Sequence, residues 1–334
     1  MDMTFEQVLT DLKNKKYYPV YFLTGEEPYY IDQIANYIEE KVIGEEQKDF
    51  NLIVLYGKDV DPAEIVSNAK RYPMMSDLQV IIIKEAQDVR NIEELQSYVE
   101  NPLRSSLLVL CYKYKKIDKR RSFAKAIEKS GVFFESARLY ENRIPDWIRM
   151  YLKERNFGIT VKACMLLTEF LGTDLTRIAN ELGKLQINTS PGSVIDEKQI
   201  EQQIGIHKDF NVFELQKALG TRDVFKANQI AAYFAGNPRE NPLIKTLSIL
   251  HGFFIKLMIY HQLKDKSKNA VAAALGVNPF FVQDYQTSAQ NYTMAQLTRI
   301  VSLFREYDLK SKGVDNVSAG DGELLKELVF RVLH

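Results

Sequence analysis

Cysteine is almost missing from this chain. The two that occur, Cys111 and Cys164, lie far apart with no second ligand at metal spacing. That excludes a disulfide framework and a thiolate zinc site, and it fits a reducing compartment. An excess of charge is missing too: Lys plus Arg and Asp plus Glu each number 44. No global positive field exists to hold a polyanion, so any nucleic-acid contact has to come from a local patch. Long apolar runs are also lacking, with nowhere 18 apolar residues in succession, and the stretch from Met1 to Tyr18 is polar and lysine-bearing. These two features argue against a membrane span and a secretory signal, and they predict a cytoplasmic protein. The four histidines, His207, His251, His261 and His334, show no metal spacing, and no Ser or Cys stands beside one in a nucleophile motif. Neither a metal site nor a catalytic residue is expected from them.

What is present is a globular composition, 46% hydrophobic and 26% charged, in 334 residues. That length exceeds one compact core, so two or three domains are expected. Short β-rich runs at Val20–Thr24, Phe50–Tyr56, Val80–Ile83, Leu107–Tyr112 and Val132–Glu135 alternate with helical patterns at Tyr29–Glu40, Ala63–Lys70, Ile92–Val99 and Arg121–Lys129. The alternation predicts a parallel sheet, and the wholly apolar runs predict central strands covered on both faces, hence a doubly wound α/β domain over 1–140. From Ile144 onward the strand signal disappears. Helical patterns over 141–207 predict a small helical domain, broken by the turn residues Asn188–Gly192. Recurrent helical periodicity over 208–334 predicts a helical bundle, with the run Phe253–Met258 in its core.

The end of the first predicted strand carries a chemical argument. A phosphate loop would follow Gly25, but the text runs Gly25-Glu26-Glu27-Pro28-Tyr29-Tyr30-Ile31-Asp32. The positions that need a second glycine, a lysine and a magnesium-binding hydroxyl hold Tyr30, Ile31 and Asp32. Glu26, Glu27 and Asp32 also bring negative charge to a helix start that a phosphate would otherwise use. After Val80–Ile83, where a nucleotide hydrolase carries Asp-Glu, the chain reads Lys84-Glu85-Ala86. Either the domain is a P-loop relative that has lost its phosphate chemistry, or it never was one. No cofactor is expected in either case.

Val20-Tyr21-Phe22-Leu23-Thr24-Gly25-Glu26-Glu27-Pro28-Tyr29, then Gly172-Thr173-Asp174-Leu175 through Asn180-Glu181-Leu182-Gly183-Lys184-Leu185, then Asn211-Val212-Phe213-Glu214-Leu215 and Tyr307 to Gly313, occur in that order. Together they resemble the delta-subunit family of the bacterial DNA polymerase III clamp loader. The resemblance spans nearly the whole chain and implies an AAA+-like domain with a degenerate nucleotide site, a helical lid and a helical collar that joins a ring of subunits. It further implies a protein that binds and helps open the sliding clamp (the beta subunit) on behalf of primed DNA. The other partners would be the gamma/tau and delta prime subunits, with ATP hydrolysed elsewhere. The lid has Leu175 where an ATP-sensing arginine would stand three residues after Gly172, with Arg177 two places off, and no arginine precedes either cysteine.

In that family the clamp is gripped by a hydrophobic wedge just before the third strand. The corresponding stretch is Arg71-Tyr72-Pro73-Met74-Met75-Ser76-Asp77-Leu78, so the resemblance assigns the wedge to Met74 and Met75, with Tyr72 as an accessory contact. The alternative is that both methionines pack inward as the helix ends. Lys113, Lys115, Lys116, Lys119, Arg120 and Arg121 crowd beside Tyr112 and Tyr114. The run is either a contact for DNA or an acidic subunit, or a solvated edge.

Overall fold

The computed structural model describes residues 3–204, 210–316 and 318–334. His207 and the boundary expected at 207/208 lie outside the described residues. The chain divides into two compact units, Met1–Tyr151 with Leu171–Gly183, and Leu152–Phe170 with Lys184–His334.

The first unit is built on a five-stranded parallel sheet. Its elements are α1 (Phe5–Lys13), β1 (Val20–Gly25), α2 (Pro28–Lys41), α3 (Glu45–Asn51), β2 (Leu52–Tyr56), α4 (Pro62–Ala69), β3 (Gln79–Lys84), α5 (Gln96–Glu100), β4 (Ser106–Lys113), α6 (Ser122–Ser130), β5 (Val132–Ser136) and α7 (Ile144–Lys153). The strand order is β2-β3-β4-β1-β5. Residues alternate between the two faces as the period of two requires. Val20, Phe22, Ile81, Ile83, Leu108 and Leu110 enter one core with Phe123 and Ile127. Tyr21, Leu23, Val80, Ile82, Leu107 and Val109 enter the other with Ile31, Ile34 and Ile38. The doubly wound expectation holds because the central strands are apolar on both sides.

Three elements differ from the pattern reading. The strand expected from Phe50 begins only at Leu52, because residues Glu45–Asn51 form a helix whose Phe50 stays exposed. The helix expected over Ile92–Val99 is a 3-10 turn, Ile92–Leu95, followed by the short α5. Helix α1 had no apolar run to announce it. It forms through a capping box between Thr4 and Gln7 and buries only Val8 and Leu12.

The second unit holds β6 (Gly158–Ile159) and β7 (Val194–Ile195), paired in parallel. Strand structure therefore does recur after Ile144, in pieces of two residues that carry no readable period. The helical elements from here on are α8 (Val161–Leu171), α9 (Leu175–Ile187), α10 (Glu197–Ile204), α11 (Val212–Gly220), α12 (Val224–Gly236), α13 (Leu243–Gln262), α14 (Lys268–Leu275), α15 (Val282–Asn291), α16 (Met294–Ser311) and α17 (Asp321–Leu333). Helices α11 to α17 enclose one apolar core. Helix α13 is long and apolar enough by composition to span a membrane. Its Leu247, Leu250, Phe253, Phe254 and Leu257 instead fill this core, which accounts for the apolarity. His261 bonds the Tyr292 carbonyl through Nε2 at 2.9 Å, and the ring of His251 packs edge-on to Phe304.

Candidate functional site

Two loops decide what the first unit can do, one at each edge of its sheet. Because the strands are parallel, segments following β1, β3 and β4 gather at the carboxyl edge, where open α/β sheets hold ligands. Segments leading into β2 and β3 gather at the opposite edge.

At the carboxyl edge the phosphate position is closed from within. Gly25 has φ 129°, and a Cβ there would lie 2.0 Å from the Ser136 carbonyl oxygen. The glycine serves the approach of β1 to the end of β5. Its amide donates to the Lys115 carbonyl (3.2 Å) and the Glu26 amide to the Ser136 carbonyl (2.9 Å). The Thr24 hydroxyl donates to the same Lys115 carbonyl (2.9 Å). At the helix start Pro28 removes one amide donor, and the Glu27 carboxylate accepts the Tyr29 amide at 3.0 Å. These are donors that a phosphate would use, and the protein has spent them. Ile31 is fully buried in the core, and the half-buried Tyr30 packs its ring against Phe5 at the core's margin.

The charges at this edge are matched by the basic run. Lys113, the last residue of β4, lies 2.8 Å from Asp32 and 3.2 Å from Glu85. Burial pushes the Lys113 ammonium down, but Asp32 and Glu85 outweigh it and hold the group above its ordinary value. Burial likewise pushes Glu85 up, and Gln87 and Lys113 bring it below the ordinary carboxylate range. Lys116 pairs with Glu135 (3.1 Å) and Glu26 (3.7 Å), and Lys119 with Glu135 (3.2 Å). Arg120 forks onto Asp118 and lowers that carboxyl to about 2, and Arg121 pairs with Glu93. Lys115 is exposed. Burial holds the Glu27 carboxyl above its usual range, against the pull of the Tyr29 amide. Among the described residues no cluster of three His, Cys, Asp or Glu could hold a metal.

The opposite edge is arranged in the reverse sense. Tyr72, Met74 and Met75 are 80%, 59% and 92% exposed, so neither methionine packs inward. The backbone of Met74 and Met75, by contrast, is tied down by the buried Asn51 and the half-buried Gln47. The register Leu52↔Val80 sets Asn51, the residue before β2, beside Gln79, the first of β3. Asn51 accepts from the Met74 amide (2.7 Å) and donates to the Met74 carbonyl (2.8 Å). Gln47, one turn earlier on α3, donates to the Met75 carbonyl (3.0 Å). Gln79 donates to the Arg71 carbonyl (2.5 Å) and the Ser106 hydroxyl (2.7 Å). Met75 itself is left-handed, φ 53°, a conformation that a bulky residue adopts only when its surroundings impose it. Asn51 and Gln79 escaped sequence reasoning because a buried amide at a strand start leaves no periodic trace, and Gln47 because its helix itself reads as the approach to a strand. The only available signal was an Asn and a Gln each at a predicted strand start.

A five-stranded parallel sheet covered on both faces, joined in one chain to a helical C-terminal region, defines a fold of the AAA+-like kind, with Tyr30, Ile31 and Asp32 at the positions a phosphate loop would use. The comparison with known proteins carries this further. The family model for DNA polymerase III, delta subunit, matches residues 21–137, and that for the DNA polymerase III delta subunit, C-terminal domain, matches residues 209–329. The chain belongs to the DNA polymerase III delta subunit family. It is 25% identical to DNA polymerase III subunit delta of Bacillus subtilis (strain 168), across 98% of this chain and 95% of that one. In fold it matches the Bacillus subtilis DNA clamp loader delta protein with a TM-score of 0.54 at 22% identity, covering 98% of this chain and 99% of that one.

Proposed function

We propose that this chain is the clamp-gripping subunit of a replicative clamp loader. It would bind the sliding clamp through Met74 and Met75, with Tyr72 beside them, and help open it for loading onto primed DNA without hydrolysing ATP itself. The observation that carries the reading is a turn whose apolar side chains face solvent while its backbone is fixed by side-chain amides, the buried Asn51 on Met74 and the half-buried Gln47 on Met75. A soluble fold has no internal use for such a turn, and methionine suits a pocket shaped for another apolar pair. The closed phosphate position supports the lack of ATP hydrolysis, since the amides and charges that nucleotide needs are already engaged.

Opening follows from differential affinity. A subunit that binds the clamp better with one ring interface parted shifts that equilibrium by the difference in its two binding free energies, and by no more. The proposed organisation keeps an AAA+-like domain at 1–140, a lid at 141–207 and a collar at 208–334 that meets the gamma/tau and delta prime subunits. Within the basic run, Lys115 and the largely exposed Arg120 are the charges offered to DNA or an acidic neighbour.

The test is binding of the purified chain to its cognate clamp without ATP, beside a Met74→Ala/Met75→Ala variant. Loss of a central apolar anchor costs on the order of 2 kcal/mol, or about 30-fold in affinity. Tight native binding that collapses in the variant supports the reading. Equal binding by both moves the contact elsewhere, and no binding by a folded native chain sinks it.

A further inference from the structure

We infer that Asn51 and Gln47, on α3, are positioning residues for the wedge: they hold Met74 and Met75 in the binding geometry before any clamp arrives. The inference rests on the wedge reading above and adds to it the device that makes the wedge work. Asn51 is 1% exposed. Burying an amide side chain is costly unless its groups are bonded. Asn51 makes two of its bonds to the backbone of one residue, Met74, both short, and its third to the Gln47 carbonyl of its own helix (3.1 Å). Gln47 then fixes the next carbonyl, that of Met75. Two successive wedge residues are thus held by one face of α3, and Met75 is kept at a positive φ. A free turn would have to give up these torsions on binding, and that ordering cost lowers affinity.

Neither Asn51 nor Gln47 needs to touch the clamp for this to operate, so the expected signature is coupling. Asn51→Leu should weaken clamp binding about tenfold, and Gln47→Leu, on a surface helix that tolerates the change, about threefold. In the Met74→Ala/Met75→Ala background both effects should vanish, because the side chains being positioned are gone. A role confined to fold stability would not produce that loss of effect. Amide hydrogen exchange at Met74 should also speed up in Asn51→Leu while the core strands stay protected. If Asn51→Leu does not fold, Gln47→Leu alone decides the matter.

Unchanged clamp affinity in the folded α3 variants, with the methionine pair still essential, overturns the positioning role and leaves the wedge standing. Effects of equal size in both backgrounds overturn it as well. Clamp binding indifferent to Met74 and Met75 removes the wedge, and the positioning role with it.

Discussion

The two edges of the sheet use the same kind of residue for opposite ends. Among the described residues of the first unit, six polar side chains are buried, and they divide evenly: Thr24, Glu27 and Ser136 at the carboxyl edge, Asn51, Gln79 and Ser106 at the other. At the carboxyl edge backbone donors turn inward and lysines pair with the acids, so the Gly25, Glu26 and Tyr29 amides are engaged within the chain. At the other edge the backbone is satisfied from beneath, so three large apolar side chains can stand in water without the turn collapsing onto them. A site is closed by engaging its polar groups and opened by engaging only those of its backbone.

The harshest way to break that contrast is at Gly25. Gly25→Ala puts a Cβ on the Ser136 carbonyl in a strained backbone and should cost about 3 kcal/mol or more, read as a large fall in the urea midpoint. Next is Lys113→Met, which strands Asp32 and Glu85. Both carboxylates are partly solvated, so the loss should be about 1–2 kcal/mol rather than the full cost of a buried pair. Its pH profile is diagnostic. A carboxyl held below the ordinary glutamate value of 4.5 gives stability that is fully present above that value and fades as pH falls through the lower folded one. Lys113→Met should therefore flatten the acid-side loss of stability. Lys113→Met with a rebuilt Tyr30→Gly/Ile31→Lys/Asp32→Thr loop should still bind no nucleotide in equilibrium dialysis, and micromolar binding would show that the edge is not closed by its backbone.

Glu27 sharpens the same edge with the reverse sign. Its folded value is raised, so its contribution is present at low pH and is lost as pH rises past 4.5 and through the raised folded value. Glu27→Gln should raise the urea midpoint at pH 7, with a gain that shrinks toward pH 4. The smallest stability effect belongs to the open edge. Met75→Gly relieves a left-handed non-glycine residue and should leave stability unchanged or raise it by up to about 0.5 kcal/mol, while clamp binding falls. A large loss of stability there would mean that Met75 holds the fold together and is not held for a partner.

Much of the fold was legible. The apolar runs at Val80–Ile83 and Leu107–Leu110 announced buried parallel strands, because a strand covered on both faces has no polar positions to spare. Tyr30, Ile31 and Asp32 announced that the phosphate-loop motif is missing. The resemblance pointed to Met74 and Met75, but periodicity could not say which way they face. Helix α3 was hidden by the aromatic Phe50, which reads as strand and sits exposed on a helix. The basic run read as a surface patch because all its acidic partners but Asp118, namely Glu26, Asp32, Glu85, Glu93 and Glu135, are distant in sequence.

The sequence by itself determined most of the elements, the two-faced sheet, the helical second half and the absence of a phosphate-loop motif, because each is written in local periodicity or in residue types at fixed spacing. Only the tertiary structure decided that Lys113 pairs with Asp32 and Glu85 and that Asn51 bonds the backbone of Met74. Both depend on which strands lie side by side, β4 against β1 and β2 against β3, and pairing between distant segments leaves no mark on the local pattern of any one of them.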